Sequence, residues 1–97
     1  NLTTIKRGAF SECSGITKFN VVSTKLNSMG KYALYRTGKL KTVIFKTGYL
    51  TKSNVGSKAF SGIKSTATFT VPAGSVQNYK DLFKSKGAGS KFKVKSL

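Results

Sequence analysis

Apolar positions in this chain recur at a long interval, far beyond the period of a single helix or strand. The segment Val55-Gly56-Ser57-Lys58-Ala59-Phe60 appears again as Met29-Gly30-Lys31-Tyr32-Ala33-Leu34 and as Ile5-Lys6-Arg7-Gly8-Ala9-Phe10. In each copy an aliphatic residue or methionine is followed, four residues on, by alanine and a large apolar side chain. Ala9, Ala33 and Ala59 are separated by 24 and 26 residues, whereas the upstream anchors Leu2, Leu26 and Leu50 keep a step of 24. The two additional residues therefore fall in Thr51-Lys52-Ser53-Asn54, a polar stretch where insertion costs little. Self-similarity at such a period predicts a stack of supersecondary units.

Downstream of each alanine the correspondence continues through Cys13, Thr37 and Ile63, then Ile16, Leu40 and Thr66. It ends in Phe19, Val43 and Phe69 and in Val21, Phe45 and Val71. The last two sets are two residues apart and rich in β-branched and aromatic side chains, which predicts short strands with one buried face. The expected strands are 16–22, 40–46 and 66–71, stacked as a narrow parallel sheet. The Ala-Phe segments predict one helical or 3₁₀ turn each, with Gly8, Gly30, Gly56 and Gly62 as bends. No such unit buries both of its flat faces alone, so stability must come from its neighbours.

After Val71 the repetition stops. Pro72 removes a backbone donor, Ser75 is an expected N-cap, and a helix should run to about Lys86. Val76, Tyr79, Leu82 and Phe83 give it one apolar stripe, and Gly87 stops it at C′. Phe92 and Val94 then alternate with Lys91, Lys93 and Lys95 as an edge strand whose lysines discourage further pairing. Residues 73–97 thus read as a C-terminal cap. With no comparable element in front of the first repeat, the expectation is a fragment of a longer solenoid.

The phrases LTTIKRGAFSECSGITKFNV, LNSMGKYALYRTGKLKTVIF and VGSKAFSGIKSTATFTVP resemble the BspA-type leucine-rich repeats of bacterial surface proteins, and VPAGSVQNYKDLFKSKG resembles their closing segment. The likeness extends from Leu2 to about Val94. It departs at Leu34, where the pattern has Phe, and at Thr66, which takes an apolar slot; the Cys position survives in the first repeat alone. The resemblance implies an α/β solenoid: a right-handed leucine-rich-repeat coil with a short parallel sheet, helical or 3₁₀ turns and a helix-strand cap. The chain would be one domain, with repeats at about 2–25, 26–49 and 50–72 and the cap at 73–97. It also implies a secreted or cell-surface bacterial protein that binds proteins or glycans and is not an enzyme.

Charge changes the picture of partners. Eighteen Lys and Arg stand against Glu12 and Asp81, a formal net charge of +16. Such a field attracts any polyanion at low salt, whether nucleic acid, acidic glycan or cell-wall polymer. The lysines are scattered, however, which is the pattern of a solvated surface. A nucleic-acid module is the competing reading. Against it, the aromatic residues fall at repeat-interior positions and no reader motif is present. No apolar run approaches the ~20 residues of a membrane span, and since Asn1 opens directly into patterned sequence, residues 1–97 are not expected to include a signal peptide. Asn1-Leu2-Thr3 is a weak glycosylation sequon. The expected oligomeric state is a monomer.

The inventory argues against catalysis and metal binding. Histidine is absent, Glu12 and Asp81 fall in different elements, and Cys13 has no partner to activate it. Cys13 occupies an inward repeat position and reads as a buried structural thiol. Gly56 to Ser65 approximates a phosphate-binding loop, but its glycines are one residue too far apart and Ile63 separates Gly62 from Lys64. Gly87-Ala88-Gly89 lacks the third glycine of a dinucleotide fingerprint. No cofactor is expected. The remaining candidate surface is the outward face of the strands: Lys18, Asn20, Thr42, Ile44, Lys46, Thr68 and Thr70, mildly basic with one exposed isoleucine.

Overall fold

Alternation of inward apolar and outward polar residues selects the strands, and the repeat length sets their register. The computed structural model describes residues 3–13, 15–89 and 91–97. In chain order its elements are β1 (Thr4–Ile5), β2 (Lys18–Val21), β3 (Ser28–Met29), β4 (Thr42–Phe45), β5 (Thr68–Val71), a 3₁₀ turn (Ala73–Ser75), α1 (Val76–Ser85) and β6 (Lys93–Ser96). Strands β2, β4, β5 and β6 form one parallel sheet in that order. Phe19 pairs with Val43, Val43 with Phe69, and Phe69 with Val94. The register therefore carries each inward residue onto its counterpart one repeat along, and β6 joins as a fourth parallel strand. Each repeat strand begins about two residues later than expected. The preceding residues are held in turns instead, as where the Leu40 N–H donates to the Thr37 carbonyl. Val22, expected in the first strand, lies beyond it and is exposed.

A second parallel ladder joins β1 to β3 and, through a bridge, Met29 to Val55. It corrects the role of two glycines. Gly30 and Gly56 are not bends: a Cβ on either would stand 2.2 Å from the backbone nitrogen of Arg7 or Lys31. They are glycine because successive repeats touch backbone to backbone there, with the Gly30 and Gly56 N–H groups donating to Ile5 and Met29 at 2.7 Å.

The Ala-Phe segments are hydrogen-bonded turns, not the expected helical or 3₁₀ turns. Their N–H groups alternate in destination. Ala9 and Ser11 donate within the repeat to Lys6 and Gly8, while Gly8, Phe10 and Glu12 donate to Lys31, Ala33 and Tyr35 of the next repeat. Tyr32, Leu34 and Arg36 donate in the same way to Ser57, Ala59 and Ser61. A 3₁₀ helix would keep all of these donors internal and leave the next repeat's carbonyls unpaired. Alternation requires left-handed backbone at two positions per repeat. Gly8, Tyr32 and Lys58 (φ 65°, 61°, 57°) occupy the first, and Glu12, Arg36 and Gly62 (φ 59°, 59°, 84°) the second.

The interior is one continuous cluster with aromatic rings through its centre. Phe60 is fully buried and meets Phe45, Phe69 and Phe83 at 6.2, 5.7 and 5.0 Å between ring centroids. Leu26, Leu40 and Leu50 are buried as the pattern predicts, whereas Thr66 is exposed and Ala67 takes the interior slot. Cys13 is half-buried, not buried, unlike its counterparts: Thr37 has a repeat on either side, and Ile63 lies between a repeat and the helix end.

Helix α1 closes the far end. Tyr79, Leu82 and Phe83 are buried and Val76 packs at the margin, as the stripe requires. Ser75 precedes the helix without a side-chain capping bond. Gly87 (φ 101°) ends it, with its own N–H donating to Lys84 and that of Ala88 to Phe83, the double bond of a Schellman closure. The Lys86 carbonyl accepts from Phe60, so the helix end takes the place that a further repeat would fill. The Tyr79 hydroxyl ties the helix to the segment 47–50, donating to the Thr47 carbonyl at 2.6 Å and accepting from the Leu50 N–H at 3.1 Å.

Candidate functional site

The candidate strand face is built by register. Because Lys18 pairs with Thr42, Thr42 with Thr68 and Thr68 with Lys93, these four form one outward row across the sheet. Asn20, Ile44, Thr70 and Lys95 form the next. Lys18, Asn20 and Lys46 are exposed; Thr42, Thr68 and Thr70 are half-buried. Ile44, expected exposed, is also half-buried, shielded by its neighbours in the row. Six of the seven candidates therefore lie in two adjacent rows, and Lys46 follows β4 directly. Lys93 and Lys95 belong to the same rows and were not among the candidates. Their alternation with Phe92 and Val94 was visible in the sequence, but a parallel pairing with β5 was not.

The turn ladder carries a second surface that sequence reasoning missed. Tyr32 and Tyr35 are half-buried, not interior, with ring centroids 4.9 Å apart and planes tilted by 58°. The Arg7 guanidinium lies over the Tyr32 ring at 5.9 Å, with the Lys31 ammonium over the same ring at 5.1 Å. The Arg36 guanidinium lies over Tyr35 at 5.2 Å. Arg7 and Arg36 are the chain's two arginines, and both are placed by this tyrosine pair. The available signal was the pair Tyr32 and Tyr35, three residues apart and flanked by Lys31 and Arg36.

Other candidate chemistry is dispersed. Glu12 sits in the first turn ladder, while Asp81 lies on α1 and accepts from the Gln77 amide. Among the described residues no three His, Cys, Asp or Glu side chains gather, and no helix is long and apolar enough to cross a membrane. The Gly56 loop is packed against the backbone of the preceding repeat, which leaves no cradle for a phosphate. An open hollow of about 460 Å³ lies beside the first repeat, lined by Phe10, Phe19 and Val22.

Comparison with known families gives one match. The family model described as BspA type leucine rich repeat region (6 copies) matches residues 1–96. No curated protein and no solved structure matches the chain.

Proposed function

The chain belongs to the BspA-type leucine-rich repeat family, and on that premise we propose a non-enzymatic protein-interaction module displayed at a bacterial cell surface. In this reading the repeats form a right-handed solenoid, divided at about 2–25, 26–49 and 50–72 and closed by a cap at 73–97. The family suggests repeat modules that bind proteins and are typically surface-associated. An adhesion role for this chain is our extension of that. The observation that carries the reading is the pair of rows Lys18–Thr42–Thr68–Lys93 and Asn20–Ile44–Thr70–Lys95. Side chains in such rows are held at strand spacing by a rigid ladder, so little ordering entropy is lost when a partner docks.

The test is a binding screen against purified extracellular proteins, with two charge-matched variants. Thr42→Glu/Ile44→Glu/Thr70→Glu alters the strand face, and Ser57→Glu/Gln77→Glu/Asn78→Glu alters exposed sites elsewhere. The strand-face variant should lose at least about tenfold in affinity, while the control stays within about twofold. Equal losses in both would show that net charge, and not this face, governs binding. That result would favour a polyanion reading of the whole surface.

A further inference from the structure

The middle repeat places side chains where its backbone favours glycine. Of the six left-handed positions in the turn ladders, each outer repeat fills one with glycine, Gly8 or Gly62, and one with a side chain, Glu12 or Lys58; the middle repeat fills both with side chains. Tyr32 and Arg36 hold the corresponding positions of the middle repeat, at φ 61° and 59°. Bulky residues are uncommon in that conformation, and strained backbone gathers at functional sites. Tyr32 and Arg36 also belong to the cluster in which Arg7, Lys31, Tyr32, Tyr35 and Arg36 meet. Two independent observations, costly backbone and an aromatic-cation cluster, therefore fall on the same residues.

The chemistry of the cluster specifies its ligand. Among the described residues neither guanidinium has a hydrogen bond or ion pair; each is held against a ring. The phenol hydroxyls of Tyr32 and Tyr35 make no hydrogen bonds there either. Both arginines are exposed, so their forked N–H donors are open to a carboxylate or sulfate. Cations lie over both rings, which leaves less ring face for a nucleobase to stack on. What remains outward is a set of N–H and O–H donors at the two ends of a tyrosine pair. We infer that this cluster is a binding site for an acidic polysaccharide, with Arg7 and Arg36 each taking a sugar oxyanion and the tyrosine hydroxyls meeting sugar hydroxyls between them. It is a different surface from the strand face, and neither reading depends on the other.

The experiment is calorimetric titration of the full chain at physiological ionic strength with oligogalacturonate, heparin-derived oligosaccharide, neutral dextran and oligo-dT. Arg7→Lys/Arg36→Lys keeps the net charge but removes the forks, and should weaken binding of the acidic saccharides about tenfold. Lys80→Gln/Lys84→Gln removes two charges from α1 and should change binding less than about twofold. Preference for oligogalacturonate or for heparin identifies the oxyanion as carboxylate or sulfate, and either supports the site. Arg36→Gly, at an exposed left-handed position, should raise the melting temperature while weakening binding, a combination that a merely structural cluster would not give. The proposal is overturned if the charge-preserving variant binds as wild type, or if the α1 variant loses as much. It is also overturned if wild type binds neither acidic saccharide, or if oligo-dT binds more tightly through the same arginines.

Discussion

Replacing Gly56 by alanine probes the contact between repeats most directly. Its φ is not in the left-handed region, so alanine meets no conformational penalty, and at an open position the change stabilises by about 0.4–1 kcal/mol. Here the new Cβ would lie 2.2 Å from Lys31 N, 2.6 Å from Lys31 Cα and 2.7 Å from the Gly30 carbonyl carbon. All three are backbone atoms and none can rotate away. Reaching an ordinary carbon contact of about 3.5 Å moves one repeat by about 1 Å against the next. That displacement strains the Gly56–Met29 hydrogen bond at 2.7 Å and its neighbours Tyr32–Ser57 and Leu34–Ala59. Loss of one or two such bonds, at about 0.5–1.5 kcal/mol each, adds to an overpacking term of about 1–3 kcal/mol. The expected loss is roughly 3 kcal/mol, a large share of a domain stability of about 5–15 kcal/mol. Urea unfolding followed by circular dichroism measures it. Gly74→Ala is the control, since its Cβ meets nothing within 4 Å. A Gly56→Ala variant within about 0.5 kcal/mol of wild type would refute close backbone contact as the reason for this glycine.

Three further outcomes follow from the same geometry. Phe60→Ala removes a fully buried ring from the centre of the aromatic cluster and should destabilise by about 3–5 kcal/mol in the same urea assay. Lys58→Gly relieves left-handed backbone at an exposed side chain. It should stabilise by about 0.5–1 kcal/mol, the left-handed penalty less the added freedom of the unfolded chain, read as a raised melting temperature. Burial raises the Tyr79 phenol above its ordinary value of 10.0, opposed by the hydrogen bond from Leu50. The folded state therefore holds this proton more tightly than the unfolded one. Its contribution is full below pH 10 and is lost as pH rises towards the folded value. Tyr79→Phe should cost about 1–3 kcal/mol at neutral pH through the stranded Thr47 carbonyl and Leu50 N–H. The gap between variant and wild type should narrow above pH 10, measured by urea unfolding across that range.

What the sequence made legible was whatever a period can encode. The inward residues Val43, Phe45, Phe69 and Val71 and the stripe Tyr79, Leu82 and Phe83 follow from spacing and burial alone, and the structure places them so. The destination of backbone donors is not written in side chains. Alternation of N–H groups between one repeat and the next leaves little trace in composition when Tyr, Lys, Glu and Arg share left-handed positions with glycine, so the turns were expected as helical. Gly30 and Gly56 are ambiguous in the same way, because a glycine chosen for φ and one chosen for close contact look identical in a sequence. The strand face was legible because it is the complement of the core. The Tyr32–Tyr35 cluster was not, because Arg7 comes from the preceding repeat and meets Tyr32 only through stacking.

The scattered positive charge is intelligible on this scaffold. No buried side-chain polar atom among the described residues lacks a partner, and the interior is held by apolar packing and inter-repeat backbone bonds. Two carboxylates cannot pair with eighteen cations, so ion pairs contribute little to stability, as is usual of exposed ones. The basic groups are thereby released from structural duty. Most are lysines, whose flexible stems and point charges give a diffuse, salt-screened attraction. The two arginines differ from the lysines in carrying forked donors, and each lies over a tyrosine ring, as Lys31 also does. Diffuse lysine charge draws a polyanion towards the surface whatever its sequence or structure. Guanidiniums resting on the tyrosine rings then favour one polyanion over another, because their forks reward an oxyanion that arrives at the right place and orientation.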